Sequence, residues 1–224
     1  MVRVAGSSRD GFAAGARGNT AGLQLTEKDA LEEHGLSVFL FHNHYHPVFG
    51  DEKNSGLQII FHEQRVANNG DVRLEPTPAQ WDAIPVFKQR KRGAAANELV
   101  ATLEYPEKKF SYAIDLRPEP GGIRVAVVLE RTLPAELAGR AGFNLEFLPT
   151  AYFGKSYVIG DTTGTFPRHP GGPTAKNASG EFEPVAMGSG QQMLLSPEDA
   201  ATRVSIRSEG ASLALLPKQR RPCS

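Results

Sequence analysis

The chain has 224 residues, of which 40% are hydrophobic and 22% are charged. This composition is typical of a folded protein with a sizeable core and excludes a disordered chain. The 25 Lys and Arg residues balance the 25 Asp and Glu residues, so we expect no nucleic acid and no membrane among the partners.

Residues 1–24 are rich in small residues and arginine and contain no long apolar run. They predict a flexible N-terminal segment that is neither a signal peptide nor a membrane span. As written, the chain is expected in the cytoplasm. If its reading frame is truncated upstream, a secreted or periplasmic protein is expected instead.

Three of the six histidines lie at alternate positions, at His42, His44 and His46. The alternating residues from Leu36 onward predict a strand that ends with all three imidazoles on one face. Neighbouring residues on one face of a strand lie about 6.6 Å apart, so two of these imidazoles can share a metal ion. The third lies too far along a straight strand to join them.

The best predicted metal ligands are His44 and His46 together with Glu52, for which His62 is a substitute. Imidazole and carboxylate ligands suit zinc, copper or non-haem iron. Two histidines around a single residue resemble the His-x-His core of cupins, and this resemblance implies a small metal-dependent enzyme. In the other interpretation, the histidines bond to backbone carbonyls or to a loop carboxylate such as Asp51, and the chain has no cofactor.

Short alternating or β-branched runs, each bounded by turn residues, recur along the rest of the chain. The turn-forming residues 68–71 predict a hairpin between two such runs, and the basic residues 88–92 predict a solvated loop. The pattern predicts an all-β fold, an antiparallel β-sandwich with long loops and at most short helical turns. The predicted strands are Leu57 to Val66, Val72 to Glu75, Glu98 to Tyr105, Phe110 to Arg117, Ile123 to Glu130, Phe143 to Leu148, Tyr157 to Ile159, Thr202 to Arg207 and Ser212 to Leu216.

We expect one β-sandwich domain over residues 25–217. Within it, residues 167–190 are rich in Pro and Gly and predict a long loop or linker. Residues 218–224 form a basic tail, and the abrupt change from a strand to this tail is typical of a truncated reading frame. The single cysteine, Cys223, excludes an intrachain disulfide and a cysteine-based zinc site.

Three aromatic residues, Trp81, Tyr152 and Tyr157, are the candidate carbohydrate contacts. Trp81 lies in a proline-framed loop that holds its ring rigidly, and the two tyrosines flank Lys155. Exposed rings of this kind stack on sugars, whereas a buried Trp81 is a plug at the end of the sandwich. The chain has no Gly-x-Ser-x-Gly elbow and no phosphate-binding glycine loop, so no catalytic residue is assigned.

Four strings of the chain carry a resemblance to a known family. They are FHNHYHPVFGD at 41–51, ANNGDVRLEPTPAQWD at 67–82, GFNLEFLPTAYFGKSY at 142–157 and TFPRHP at 165–170. They resemble the amino-terminal β-sandwich region of bacterial glycoside hydrolases of family 9, the endoglucanase-like type. The resemblance covers residues 25–173 and, more loosely, 202–216.

In that family the β-sandwich precedes a large α/α barrel, which supplies the catalytic carboxylates of an inverting hydrolysis. This chain has no room for the barrel and contains no Asp-Ala-Gly-Asp-type catalytic string. The resemblance therefore implies a fragment of a polysaccharide-degrading enzyme, a non-catalytic module that binds carbohydrate or supports a missing barrel. Its implied partners are a polysaccharide or oligosaccharide and the barrel of the full-length protein. A small metal-dependent β-fold enzyme is the alternative.

Overall fold

A computed structural model describes residues 2–6, 22–42, 56–74, 84–169, 171–178, 180 and 182–217. The chain divides into two compact units, unit 1 with Met1–Ala13 and Pro149–Ser224, and unit 2 with Ala14–Leu148. The boundary between the units lies inside the single domain that we predicted over residues 25–217.

The described residues form an all-β fold, which confirms the predicted fold class. Three 3-10 helices, at Pro106–Lys108, Ala135–Leu137 and Pro149–Ala151, are the helical elements of these residues. None of the described residues belongs to a helix that is long and apolar enough to cross a membrane. The strands are, in chain order, β1 (Val2–Gly6), β2 (Gln24–Leu25), β3 (Ala30–Glu33), β4 (Leu36–Leu40), β5 (Leu57–Phe61), β6 (Gln64–Leu74), β7 (Val86–Arg92), β8 (Leu99–Tyr105), β9 (Phe110–Glu119), β10 (Gly122–Leu129), β11 (Ala141–Phe147), β12 (Ser156–Ile159), β13 (Thr162–Thr165), β14 (Thr174–Lys176), β15 (Phe182–Pro184), β16 (Gly188–Gly190), β17 (Gln192–Leu195), β18 (Val204–Ser208) and β19 (Leu213–Leu215).

Unit 2 is built from two layers of antiparallel strands. One layer has the strand order β11-β6-β5-β4-β3-β2, and in the other β7, β8, β9 and β10 lie side by side. Residues alternate between buried and half-buried positions along β8 and β9, as expected for a sheet with one face against the core. The hydroxyl of Tyr105 on β8 donates to the carbonyl of Val72 on β6 at 2.9 Å. The two layers therefore face each other as a sandwich.

Two of the hairpins in unit 2 turn through residues with positive φ. His34 and Gly35 have φ of 40° and 85° between β3 and β4, and His62 and Glu63 have φ of 47° and 62° between β5 and β6. Two successive residues with positive φ match the twist of the flanking strands in a two-residue hairpin. The chain reverses at these turns.

The hairpin turn predicted at residues 68–71 is wrong, because these residues lie within the long strand β6. Leu57 pairs with Gly70 and Ile59 with Ala67, so β6 has one more residue than β5 over this stretch. Asn69 has a φ of 53°. The turn-type residues therefore form a β-bulge, which needs the same backbone freedom as a turn but leaves the strand continuous.

The basic residues 88–92 lie in the edge strand β7, not in a solvated loop as predicted. The guanidinium of Arg90 donates to the carbonyl of Phe41 at 2.6 Å. The guanidinium of Arg92 donates to the carboxylate of Asp29 at 3.1 Å. Charged side chains are common on edge strands because they discourage pairing with another chain. Here they also bind β7 to the opposite layer.

Unit 1 contains an antiparallel sheet with the strand order β13-β12-β17-β18-β1. Two further pairs, β14 with β15 and β16 with β19, complete its described strands. Residues 167–190, predicted as a long loop or linker, therefore contain the paired strands β14 and β15 together with β16. Each of these strands has only three residues, which is too short for an alternating pattern of apolar and polar residues to predict a strand.

We predict that Gly70→Ala destabilises the protein by about 1–3 kcal/mol, since an added Cβ overpacks the core. That Cβ would lie 2.4 Å from Leu57 Cβ and 3.0 Å from Leu145 Cδ1. Urea unfolding measures the change in the free energy of unfolding. The matched control is Gly142→Ala on the neighbouring strand β11, where nothing lies within 4 Å of an added Cβ. Equal destabilisation by the two substitutions would contradict the packing around Gly70.

Candidate functional site

The predicted metal ligands His44, His46 and Glu52 and the predicted sugar contact Trp81 lie outside the described residues. Their roles stay predictions. Within the part of the chain that the structure describes, no three or more His, Cys, Asp or Glu side chains are grouped to hold a metal ion.

His42, the first of the three alternating histidines, lies two residues beyond the end of β4, after Phe41, whose φ is 48°. The predicted strand therefore does not extend to His42. Nη2 of Arg90 lies 3.1 Å from its Nδ1. A guanidinium can only donate, so Nδ1 accepts this hydrogen bond and the imidazole carries its proton on Nε2. The ring also stacks on Phe39, with the two centroids 5.7 Å apart. His42 therefore has a structural role at the end of β4.

His62, the substitute for Glu52, lies at the opposite end of the same strand pair. In the antiparallel pairing of β4 with β5, Leu36 faces Phe61 and Leu40 faces Leu57. His62 follows the end of β5, which lies beside the start of β4. His42 instead follows the end of β4. The length of β4 separates the two imidazoles, which share no ion in this arrangement.

Tyr152 and Tyr157 are core residues of unit 1. They are 3% and 8% exposed, and their ring centroids lie 5.9 and 4.9 Å from that of Phe166. Burial raises the pKa of Tyr152, and its hydroxyl donates to the carbonyl of Thr202 at 3.2 Å. A ring that stacks on a sugar needs an accessible face. The expectation that these two tyrosines bind carbohydrate is therefore at odds with their burial.

Lys155, between the two tyrosines, anchors the loop that follows β17. Its ammonium binds the carboxylate of Asp199 and donates to the hydroxyl of Thr202 at 2.7 Å. The hydrogen bond from Lys155 lowers the pKa of Asp199, with further donation from the Ala201 N–H and the Thr202 hydroxyl. The hydroxyl of Ser196 lies 2.9 Å from that of Thr202 but is fully buried. The cluster holds the loop and leaves Ser196 out of reach of a substrate.

Asp71 places a carboxyl group in the core of the unit 2 sandwich, where it is 4% exposed. It accepts hydrogen bonds of 2.7 Å from the hydroxyl of Tyr112 and from the N–H of Val72. Burial raises the pKa of Asp71 to about 6, although both hydrogen bonds lower it. Burial and the neighbouring Asp71 also raise the pKa of Tyr112. The pair links β6 to β9 across the two layers.

Two carboxyl groups, that of Glu98 beside the β7–β8 turn and that of Asp115 on β9, share one guanidinium. Glu98 accepts from the N–H of Ala95 at 2.8 Å, and Arg117 bridges Glu98 and Asp115 through Nη2 at 2.6 and 2.8 Å. The Ala95 hydrogen bond lowers the pKa of Glu98, whereas burial raises the pKa of Asp115. A Cβ on Gly93 would lie 2.1 Å from the Glu98 carboxyl group. A side chain at Gly93 would therefore displace this carboxylate, whose hydrogen bonds tie the turn to the sheet.

An open cleft of about 370 Å³ lies in unit 2, between the β8–β9 connection and the segment after β10. The pairing of Glu104 with Ser111 brings two of its polar side chains together on adjacent strands. Glu104 also binds Lys88 at 2.6 Å. The lining residues are Glu104, Pro106, Lys109, Phe110, Ser111, Glu130, Arg131, Thr132 and Pro134.

Sequence reasoning missed this cleft. Its polar residues lie at strand ends and turns, where charged and hydroxyl side chains are ordinary surface residues. The one local signal is the connection after β8, in which Pro106 begins a 3-10 turn and Lys109 ends it with a φ of 49°. That signal predicts a tight turn and gives no information on what packs beside it.

No protein-family model, curated protein or solved structure matches this chain. The resemblance to family 9 glycoside hydrolases therefore stays a prediction from the four strings.

We predict that Asp71 makes the protein less stable as the pH rises from about 4 to about 6. The carboxyl group prefers its protonated form when folded, because its pKa rises from 3.8 to about 6. The contribution of this protonated group to the free energy of unfolding is fully present below pH 3.8 and is lost as the pH rises through the folded-state pKa of about 6. The free energy of unfolding falls by about 3 kcal/mol over this range. Urea unfolding across this pH range measures the effect.

Asp71→Asn, which retains an acceptor for Tyr112, should remove that part of the pH dependence. Asp161→Asn, at an exposed position of unit 1, is the control and should keep it. Parallel pH profiles for the wild type and Asp71→Asn would contradict the raised pKa.

The metal alternative predicts a stoichiometric zinc, copper or iron ion in protein purified without a histidine tag. Elemental analysis after dialysis measures it. The ion should be lost in His44→Ala/His46→Ala and retained in His34→Ala, whose imidazole is 90% exposed in the β3–β4 turn. Protein that folds without a stoichiometric metal would exclude the metal-dependent enzyme.

Proposed function

We propose that this chain is a non-catalytic β-sandwich module that binds a polysaccharide or oligosaccharide and belongs to a polysaccharide-degrading glycoside hydrolase. The observation that carries the proposal is the polar cleft of unit 2. The resemblance to the amino-terminal region of family 9 enzymes gives the enzymatic context, in which a catalytic barrel would be the partner of the module.

The side chains around the cleft complement the hydroxyl groups of a sugar. Each sugar hydroxyl both donates and accepts hydrogen bonds. The carboxylates of Glu104 and Glu130 accept, the cations of Lys109 and Arg131 donate, and the hydroxyl of Ser111 does both. Donors and acceptors that line the same cleft suit a ligand that carries several neighbouring hydroxyl groups.

The charges of the lining favour an uncharged glycan. Two carboxylates and two cations line the cleft, and Lys88 adds a third cation at Glu104. Charges of both signs are therefore mixed, and the cleft does not have the strong field of one sign that attracts an ionic ligand. The rings of Pro106 and Pro134 add apolar surface for the C–H groups of a sugar. A volume of about 370 Å³ lies within the range of small-molecule sites, about 300–1,000 Å³, and an open cleft lets a longer glycan extend beyond it.

The carboxyl groups of the sandwich interior are held by structural contacts and are not available to act on a substrate. Asp71 is buried between the layers, and Glu98 is held by the Ala95 N–H and by Arg117. A general acid or base must reach the substrate proton directly or through one water. These carboxyl groups instead hold strands and a turn in place.

We predict that Glu130→Gln/Arg131→Ala weakens glycan binding by about tenfold or more, because hydrogen bonds to charged groups contribute about 1.5–3 kcal/mol each. Retention on insoluble cellulose and titration with soluble mixed-linkage glucan and laminarin measure the affinity. The matched control is Glu136→Gln/Arg140→Ala, an exposed pair in the following segment that does not line the cleft. Its binding should equal that of the wild type.

Three results would contradict the proposal. Failure of the wild-type protein to bind any of the three glycans would exclude recognition of an uncharged glycan by the cleft. Release of reducing sugar by the purified chain would exclude a non-catalytic module. Equal losses of glycan affinity in the two double variants would exclude the cleft as the binding site.

A further inference from the structure

The strand pair β14 and β15 in unit 1 carries an exposed aromatic side chain. Phe182 is 67% exposed, more than any other large hydrophobic side chain of the described residues. It pairs across the strands with Lys176, whose Nζ lies 5.4 Å from the centroid of the phenyl ring. An aromatic ring and a cation are therefore presented together at the surface.

The alternation of the two strands separates this pair from the nearby carboxylate. Lys176 and Phe182 face each other, and Ala175 faces Glu183 one position along. Successive side chains of a strand point to opposite faces, so Glu183 lies on the other face of the pair. Its carboxylate accepts a hydrogen bond of 2.8 Å from Asn177. Among the described residues of this strand pair, the face with the ring therefore carries the positive charge of Lys176.

The combination selects for a particular kind of sugar. A phenyl ring stacks on the C–H face of a pyranose, and this contact is indifferent to charge. The ammonium of Lys176 lies over the Phe182 ring. Its flexible stem allows it to move aside, and it then adds a partner for an anion. A uronic acid offers both groups in one residue, a C–H face and a carboxylate attached to the ring.

We propose that Phe182 and Lys176 form a second saccharide site, which binds a uronate-containing polysaccharide. This inference rests on the proposed carbohydrate-binding function and adds an acidic glycan to the uncharged one assigned to the cleft. Phe182 stacks on the pyranose, and the ammonium of Lys176 pairs with the uronate carboxylate. Because the ion pair is exposed, binding weakens as salt is added.

The experiment compares polygalacturonate and alginate with uncharged mixed-linkage glucan, using the full chain and its variants. We expect Phe182→Ala to bind the uronates about tenfold more weakly, as for the loss of a stacking contact. Lys176→Ala should lower the affinity for uronates roughly threefold at low salt and leave it unchanged at high salt. Lys176→Arg should bind uronates as the wild type does. All three should bind mixed-linkage glucan like the wild type.

Phe153→Ala is the matched control, because Phe153 is a second exposed phenylalanine of unit 1 at 36% exposure. It should leave uronate binding unchanged. Thermal unfolding checks that each variant folds, which is expected for substitutions of exposed side chains.

The outcomes separate this inference from the proposed function. Binding of mixed-linkage glucan with no binding of uronates, or uronate binding that Phe182→Ala leaves intact, would overturn the second site and leave the cleft standing. No binding of any glycan would overturn both. Self-association that depends on Phe182, measured by analytical ultracentrifugation, would show that the ring contacts another copy of the chain and would also overturn the second site.

Discussion

The hydrogen bond from the Tyr112 hydroxyl to the buried Asp71 carboxyl group is the interaction on which the architecture of unit 2 depends. A carboxyl group in an apolar core is costly unless its oxygen atoms have donors, and Tyr112 and the Val72 N–H supply them at 2.7 Å. Since Asp71 lies on β6 and Tyr112 on β9, the bond sets how the two layers are placed. Tyr105 adds a second bond between the layers nearby. The strands that carry the cleft are therefore held by the polar interior beneath them.

The bulge in β6 allows one strand to serve both of its neighbours. β6 pairs with β5 on one side and β11 on the other, and both pairings shift register near Asn68 and Asn69. The side chain of Asn69 donates to Glu146 on β11 at 3.2 Å. Gly70 faces Leu57 without a side chain of its own. Turn-forming residues inside a strand thus re-aim its backbone where a regular strand would clash.

The strands with a clear alternating pattern were predictable from the sequence. The runs predicted at 98–105, 110–117 and 123–130 correspond to β8, β9 and β10. β8 and β9 alternate buried and half-buried positions over seven residues, and β10 is rich in β-branched residues. β7 was not predictable, since its charged residues are also typical of a solvated loop. The cleft was not predictable either. Glu104 and Ser111 are neighbours only through strand pairing, and Glu130 and Arg131 read as ordinary surface residues.

By itself the sequence determined the all-β class and the positions of most long strands, because the period of two is a local property of adjacent side chains. The tertiary structure decided which polar residues meet and which aromatic rings are accessible. Tyr152 and Tyr157 looked like candidate sugar contacts but pack in a core, whereas Phe182, in a tract with few apolar residues, is exposed. Burial and register depend on contacts between residues far apart in the chain, and a local pattern contains no information on those distances.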